Sequence, residues 1–129
     1  MFLSMVSLTV ADSRPTPLKR RAALFELLLA IASEQVGTSA MKASEGFTSL
    51  GPTLLAVIGY VFSLIFFGRC MRILPMGFAY ALWVGLGMIT SSVIGVVVFR
   101  ETLSVPVVIG LAVIAAGILV LNSAQGESV

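Results

Sequence analysis

The fold class predicted from this sequence is an all-α membrane protein of four transmembrane helices, and three observations predict it. Hydrophobic residues make up 58% of the chain and charged residues only 11%, whereas soluble chains run nearer a quarter charged. Four apolar stretches follow one another at about 22–41, 53–70, 76–99 and 105–121. Each is about long enough to cross a ~30 Å hydrocarbon core with roughly 20 residues. The connections between them are short, which sets neighbouring helices antiparallel in an up-down-up-down bundle. In lipid the backbone must satisfy its own hydrogen bonds, so a spanning segment is a helix or part of a closed barrel. The polar–apolar alternation of barrel strands is missing here.

Residues 1–21 read as an N-terminal basic tail, poorly ordered or lying at the interface. The apolar opening lacks the basic start and the small-residue cleavage site of a secretory signal, and Asp12–Pro17 is rich in turn-formers. Residues 22–122 form the membrane body, and 123–129 a short C-terminal tail. Pro52, Pro75 and Pro106 mark the starts of the second, third and fourth spans, where a missing N–H costs no intrahelical bond. Lys42, Glu45, Arg69, Arg72, Arg100 and Glu101 fall at or between span ends. With both termini inside, Arg14, Lys19, Arg20, Arg21, Arg69 and Arg72 are cytoplasmic and Lys42 and Arg100 face out, a positive-inside bias. Four of the six inner charges belong to the tail, so the body alone is balanced at two against two.

The net charge of +2 is small and scattered, which gives no reason to expect a nucleic-acid partner. There is no His and a single Cys, Cys70. That excludes an intramolecular disulfide and a Cys/His metal cluster, and no cofactor or metal is expected. Cys70 itself reads as a small apolar filler.

Glu34 is the residue that carries chemistry. It lies near the middle of the first span, and every Lys and Arg sits at a span end or in the tail. A mid-membrane carboxyl is expensive, and here it has no basic partner at its own depth. Such a group can hold protons or meet an organic cation, while holding both together is unfavourable. Mutually exclusive binding plus alternating access suffices to exchange protons inward for cations outward. Leu27, Ala30, Gly37, Thr38 and Met41 share the face of Glu34 by helical spacing, and small residues there admit a second helix or a ligand. Glu26, nearer the helix start, reaches the interface and meets the helix dipole favourably.

Tyr80 and Trp83, three apart on the third span, and Tyr60 on the second offer aromatic faces. Such faces attract quaternary ammonium groups when water is excluded; the alternative for them is an interfacial belt. Gly85 and Gly87 weaken the third helix where it would bend. Gly110 and Gly117, seven apart on the fourth span, line one face suited to a dimer seam.

Three runs carry a family resemblance: Gly37–Thr48 (GTSAMKASEGFT) after the acidic residue, Leu74–Gly87 (LPMGFAYALWVGLG), and Ala116–Asn122 (AGILVLN). With them the chain resembles the small multidrug resistance family of bacterial inner-membrane exporters, over about Leu27 to Asn122. The resemblance implies an antiparallel dimer with one shared site between two membrane-embedded glutamates. It implies Glu34 as the proton and substrate carboxylate and Tyr60, Tyr80 and Trp83 as the aromatic lining, with Ala30, Gly37, Thr38 and Ser63 nearby. It further implies Gly85 and Gly87 as a helix kink and the fourth span, with Gly110 and Gly117, as the dimer seam. The substrates it implies are lipophilic quaternary ammonium compounds and cationic dyes, exchanged for protons across the bilayer.

The Lys42–Gly46 turn (KASEG) resembles the multidrug branch; the Trp after the glutamate and the Thr-His-Gly turn of the guanidinium branch are both missing. Gln35 stands where the family usually has an apolar residue, and the basic tail is atypical. Some family members work as obligate heteropairs, so a paralogous partner chain, in a paired exporter of polyamines or related metabolites, is the alternative to a homodimer. A different class, an accessory or lipid-handling subunit without proton coupling, predicts no dependence on Glu34. An enzyme is not expected, because without His no nucleophile–base pair can be drawn and no soluble part holds a substrate.

Overall fold

The computed structural model describes residues 1–4 and 15–127; the rest of the two expected tails, 5–14 and 128–129, lies outside the described residues. Four long helices follow in order: α1 (Pro17–Ala43), α2 (Leu50–Cys70), α3 (Met76–Val97) and α4 (Val105–Glu127). Helix α1 begins within the stretch read as a tail. Its Thr16 hydroxyl accepts the Lys19 N–H at 3.3 Å, and Pro17 has no N–H to lose in the first turn.

The turns are built as the local chemistry requires. After α1, Ser44 is fully buried; its hydroxyl donates to the Met41 carbonyl at 2.6 Å and accepts the Phe47 N–H at 3.0 Å. These bonds hold Glu45, Gly46 and Phe47 at φ of 50°, 74° and 66°. Only the glycine is at ease in that left-handed region, so the Ser44 bonds offset the strain at its two neighbours. Pro75 stands as the N-cap of α3. Between α3 and α4 the chain turns through Arg100 at φ 55°, with the Glu101 N–H donated to the Gly95 carbonyl at 2.9 Å.

Helices α2, α3 and α4 are each long and apolar enough to cross a membrane. Helix α1 does not reach that measure, although the sequence reading expected four crossing stretches, because Glu26, Glu34 and Gln35 interrupt it. The core lies among α1, α2 and α3, where Ala23, Leu27, Ala30 and Ile31 meet Phe67, Cys70, Phe78 and Leu82. These residues come from the first half and middle of α1, the end of α2 and the first half of α3, so α1, α2 and α3 alternate in direction. Helix α4 is largely exposed and touches α3 through Ile114 and Ile118. Two ion pairs tie α1 to its neighbours: Arg69, in the last turn of α2, to Glu26 at 2.8 Å, and Lys42, in the last turn of α1, to Glu101.

Glycine decides how closely α1 and α2 approach. A Cβ placed on Gly59 would come 2.7 Å from the Gly37 nitrogen and 2.9 Å from the Ser33 carbonyl oxygen. The two helices therefore cross backbone to backbone, one turn beyond Glu34. Small residues permit such crossings in membranes, where packing and hydrogen bonds replace the hydrophobic drive.

Candidate functional site

Glu34 lies midway along α1, between the apolar core and a polar end. It is half-buried, and its Oε2 is fully enclosed with no hydrogen-bond partner among the described residues. The two described ion pairs engage Glu26 and Glu101, and no cation among the described residues pairs with Glu34. Gly87 of α3 leaves the space the carboxylate occupies, since a Cβ there would stand 3.2 Å from Oε2. An enclosed carboxylate oxygen with an unfilled acceptor position can be satisfied by a proton or by a cation.

The other residues expected in the site fall into separate groups. Ala30 is fully buried one turn before Glu34. Gly37 sits at the α1–α2 crossing, with Tyr60 Cδ2 3.0 Å from where its Cβ would be. Thr38 and Tyr60 share a hydroxyl–hydroxyl hydrogen bond of 2.8 Å. Ser63 is buried, and its Oγ has no partner among the described residues. On α3, Trp83 stacks on Phe67 with ring centroids 4.5 Å apart and meets Tyr80 edge-on at 5.8 Å. The Trp83 Nε1 is also buried and unpartnered among the described residues, whereas Tyr80 is half-exposed. Among the described residues, the buried side-chain atoms left unsatisfied are Glu34 Oε2, Ser63 Oγ and Trp83 Nε1, one on each of the three packed helices. Leaving such groups unsatisfied is costly.

Gly85 and Gly87 lie within an unbroken α3. Each marks a close approach: Gly85 receives Ile118 of α4, whose Cδ1 would be 2.6 Å from an added Cβ, and Gly87 receives Glu34. Gly110 and Gly117 have open space around them and are not drawn into the group around Glu34. Among the described residues no cluster of His, Cys, Asp and Glu could hold a metal.

Four participants escaped the sequence reading as site residues: Gly59, Phe67, Gln35 and Ser91. Phe67 could have been found from its spacing, seven residues after Tyr60 on one helix face. Gln35 is 6% exposed and bonded to α3 through Ser91 and Gly87. Two polar residues facing each other from different spans were the available signal.

A model of the small multidrug resistance protein family matches residues 22–114. The chain belongs to that family. Among relatives, it is 38% identical to the quaternary ammonium compound-resistance protein QacG of Staphylococcus sp. (strain ST94), over 79% of this chain and 94% of that one. It is 39% identical to the multidrug transporter EmrE of Escherichia coli (strain K12), over 72% and 84%. It is 34% identical to the multidrug resistance protein EbrB of Bacillus subtilis (strain 168), over 81% and 90%. Small multidrug resistance proteins are membrane transporters, and this chain is a transporter rather than an enzyme. The matched stretch takes in Glu34, the aromatic residues of α2 and α3, and Gly110 of α4.

Proposed function

We propose that this protein is a proton-coupled antiporter that exports lipophilic organic cations, with protons and substrate binding in turn at Glu34. The observation that carries the reading is Glu34 Oε2, enclosed and without a hydrogen-bond partner among the described residues. A buried group of that kind is satisfied by a proton or by a positive charge from outside the chain. Tyr60, Tyr80 and Trp83 are the aromatic lining, and the Trp83–Phe67 stack at 4.5 Å holds an indole face ready for a quaternary ammonium group. The names of the relatives, two multidrug proteins and one quaternary ammonium resistance protein, support the same substrate class.

The working unit is a homodimer of antiparallel protomers in the bacterial inner membrane, with α1 as the fourth crossing helix. Two features favour a second copy. Tyr80 is half-exposed beside the site, and α4 leaves Gly110 and Gly117 free on its surface, where small residues admit close helix contact. Alternating exposure of one shared site between the two Glu34 residues then exchanges protons inward for cations outward, with α3 bending at Gly85 and Gly87.

The test is proton-driven uptake of a quaternary ammonium cation into liposomes holding this chain alone, beside Glu34→Gln. Gln keeps the shape and removes the charge. Uptake in wild type that disappears in Glu34→Gln supports the reading. Uptake that survives the substitution refutes it. No uptake from well-folded wild type refutes the homodimer and redirects the search to a paralogous partner chain, for which the tail's basic residues provide a fixed orientation.

A further inference from the structure

Gln35 follows Glu34, so its side chain leaves α1 about 100° around the helix from the carboxylate. It is buried, and both ends of its amide are engaged on α3. Nε2 donates to the Gly87 carbonyl at 3.1 Å, and Oε1 accepts the Ser91 hydroxyl at 2.8 Å. The two α3 partners are four residues apart, on successive turns. A Cβ on Gly87 would meet Gln35 Nε2 only at an ordinary contact distance of 3.8 Å, so the tight approach at Gly87 is that of Glu34.

The contact divides the α1–α3 interface in two. Before Glu34 it is apolar, with Leu27, Ala30 and Ile31 of α1 in the same core as Phe78, Ala79 and Leu82 of α3. Beyond Glu34 polar groups enter it. There Gln35, Thr38, Ser39 and Ser91, together with the apolar Ile94 and Phe99, line a cleft of about 190 Å³ that reaches the Lys42–Glu101 ion pair. Apolar surfaces tolerate sliding because their attraction has no direction, whereas hydrogen bonds at 2.8 and 3.1 Å persist in one register only. The Gln35 amide therefore fixes the second half of α3 against α1, at the depth of Glu34.

We propose that Gln35, with Ser91 and the Gly87 carbonyl, is a latch holding one of the two exposure states of the transporter. Gln35 is a positioning residue: its release sets the rate at which α3 moves relative to α1, while cation affinity is set by Glu34 and the aromatic residues. This rests on the antiport reading above. Opening the latch leaves neither of its α3 partners orphaned. The Ser91 hydroxyl can turn to the carbonyl four residues back, as Thr90 does with Leu86 at 2.8 Å and Ser92 with Met88 at 2.9 Å. The Gly87 carbonyl keeps its place in the helical ladder.

The experiment uses the full chain in liposomes, with Gln35→Leu, Ser91→Ala and the double substitution. Gln35→Leu is expected to raise the maximal exchange rate of tetraphenylphosphonium about 3- to 10-fold, the worth of one or two interhelical hydrogen bonds in a membrane. Half-saturating cation concentration should stay within about twofold. Ser91→Ala should give a smaller gain, and the double substitution no more than Gln35→Leu, because the residues act as one unit. A large rise in half-saturation at unchanged rate would make Gln35 part of the binding site, and additive effects would dissolve the unit; either overturns the proposal.

Amide hydrogen exchange gives a readout independent of transport. Gln35→Leu should accelerate exchange in residues 91–97 of α3 and leave residues 79–85 as protected as before. Unchanged protection overturns the latch even where wild type transports. If wild type does not transport, the antiport reading fails on its own and the exchange data still decide whether the latch exists.

Discussion

Substituting Gly59 by Ala tests how much of this protein depends on the α1–α2 crossing. The added methyl would stand 2.7 Å from the Gly37 nitrogen, 2.8 Å from its Cα and 2.9 Å from the Ser33 carbonyl oxygen. All three are backbone atoms, so no rotamer change relieves them. Ordinary contact begins near 3.4 Å, so α1 and α2 must part by about 0.7 Å to reach normal van der Waals separation. Forced overpacking of this kind costs about 1–3 kcal/mol. The Thr38–Tyr60 bond, now 2.8 Å, would stretch toward its limit and forfeit about 0.6 kcal/mol. Against these stands the better helix propensity of Ala, about 1 kcal/mol.

The expected net loss is about 0.6–2.6 kcal/mol. Gly68→Ala is the control, because nothing lies within 4 Å of a Cβ there, and it should be neutral or stabilising by up to about 1 kcal/mol. The assay is reversible unfolding of purified protein in mixed micelles, titrated with SDS and followed by tryptophan fluorescence. Trp83 is the single tryptophan and is stacked on Phe67 in the core, so its emission reports the packed state. Equal midpoints for Gly59→Ala and Gly68→Ala would refute the backbone-to-backbone crossing.

Other outcomes follow from the same geometry. Gly85→Ala should be milder than Gly59→Ala, because the clashing atom is the Cδ1 tip of Ile118 at 2.6 Å, which can rotate away; the same SDS titration measures it. Trp83→Leu removes the indole face, so equilibrium binding of tetraphenylphosphonium should weaken roughly 30-fold, as ~2 kcal/mol of desolvated cation–π attraction implies. Trp83→Phe should retain part of that affinity. Tyr60→Phe loses only the bond to Thr38 and should cost ~0.6 kcal/mol in the unfolding titration. Lys42→Met breaks the pair with Glu101, but both side chains are about half-exposed, so stability should change by no more than ~1 kcal/mol.

The helical class was legible because a chain this apolar must satisfy its backbone in lipid as helices or as a closed barrel, and its apolar runs lack the polar–apolar alternation of barrel strands. The isolation of Glu34 could also be read beforehand. Every Lys and Arg is placed at a span end or in the tail, and the described ion pairs of Lys42 and Arg69 do lie at the helix ends. The apolar measure of α1 was harder to judge, since Glu26, Glu34 and Gln35 dilute a stretch that otherwise resembles the others.

What the sequence by itself determined, then, is the kind of molecule: helices in lipid, and a carboxyl among them with no countercharge of its own. The rotational phase of one helix against another was decided only by the tertiary structure. Residues such as Gly59 and Gly68 are the same letter in the same helix, yet one meets the backbone of α1 and the other open space. On a span that is apolar all round, no periodic polar face points to the neighbour, so sequence alone cannot distinguish the two. The same holds for Gln35, which reads as an oddity beside Glu34 until folding brings Ser91 and Gly87 within reach of its amide.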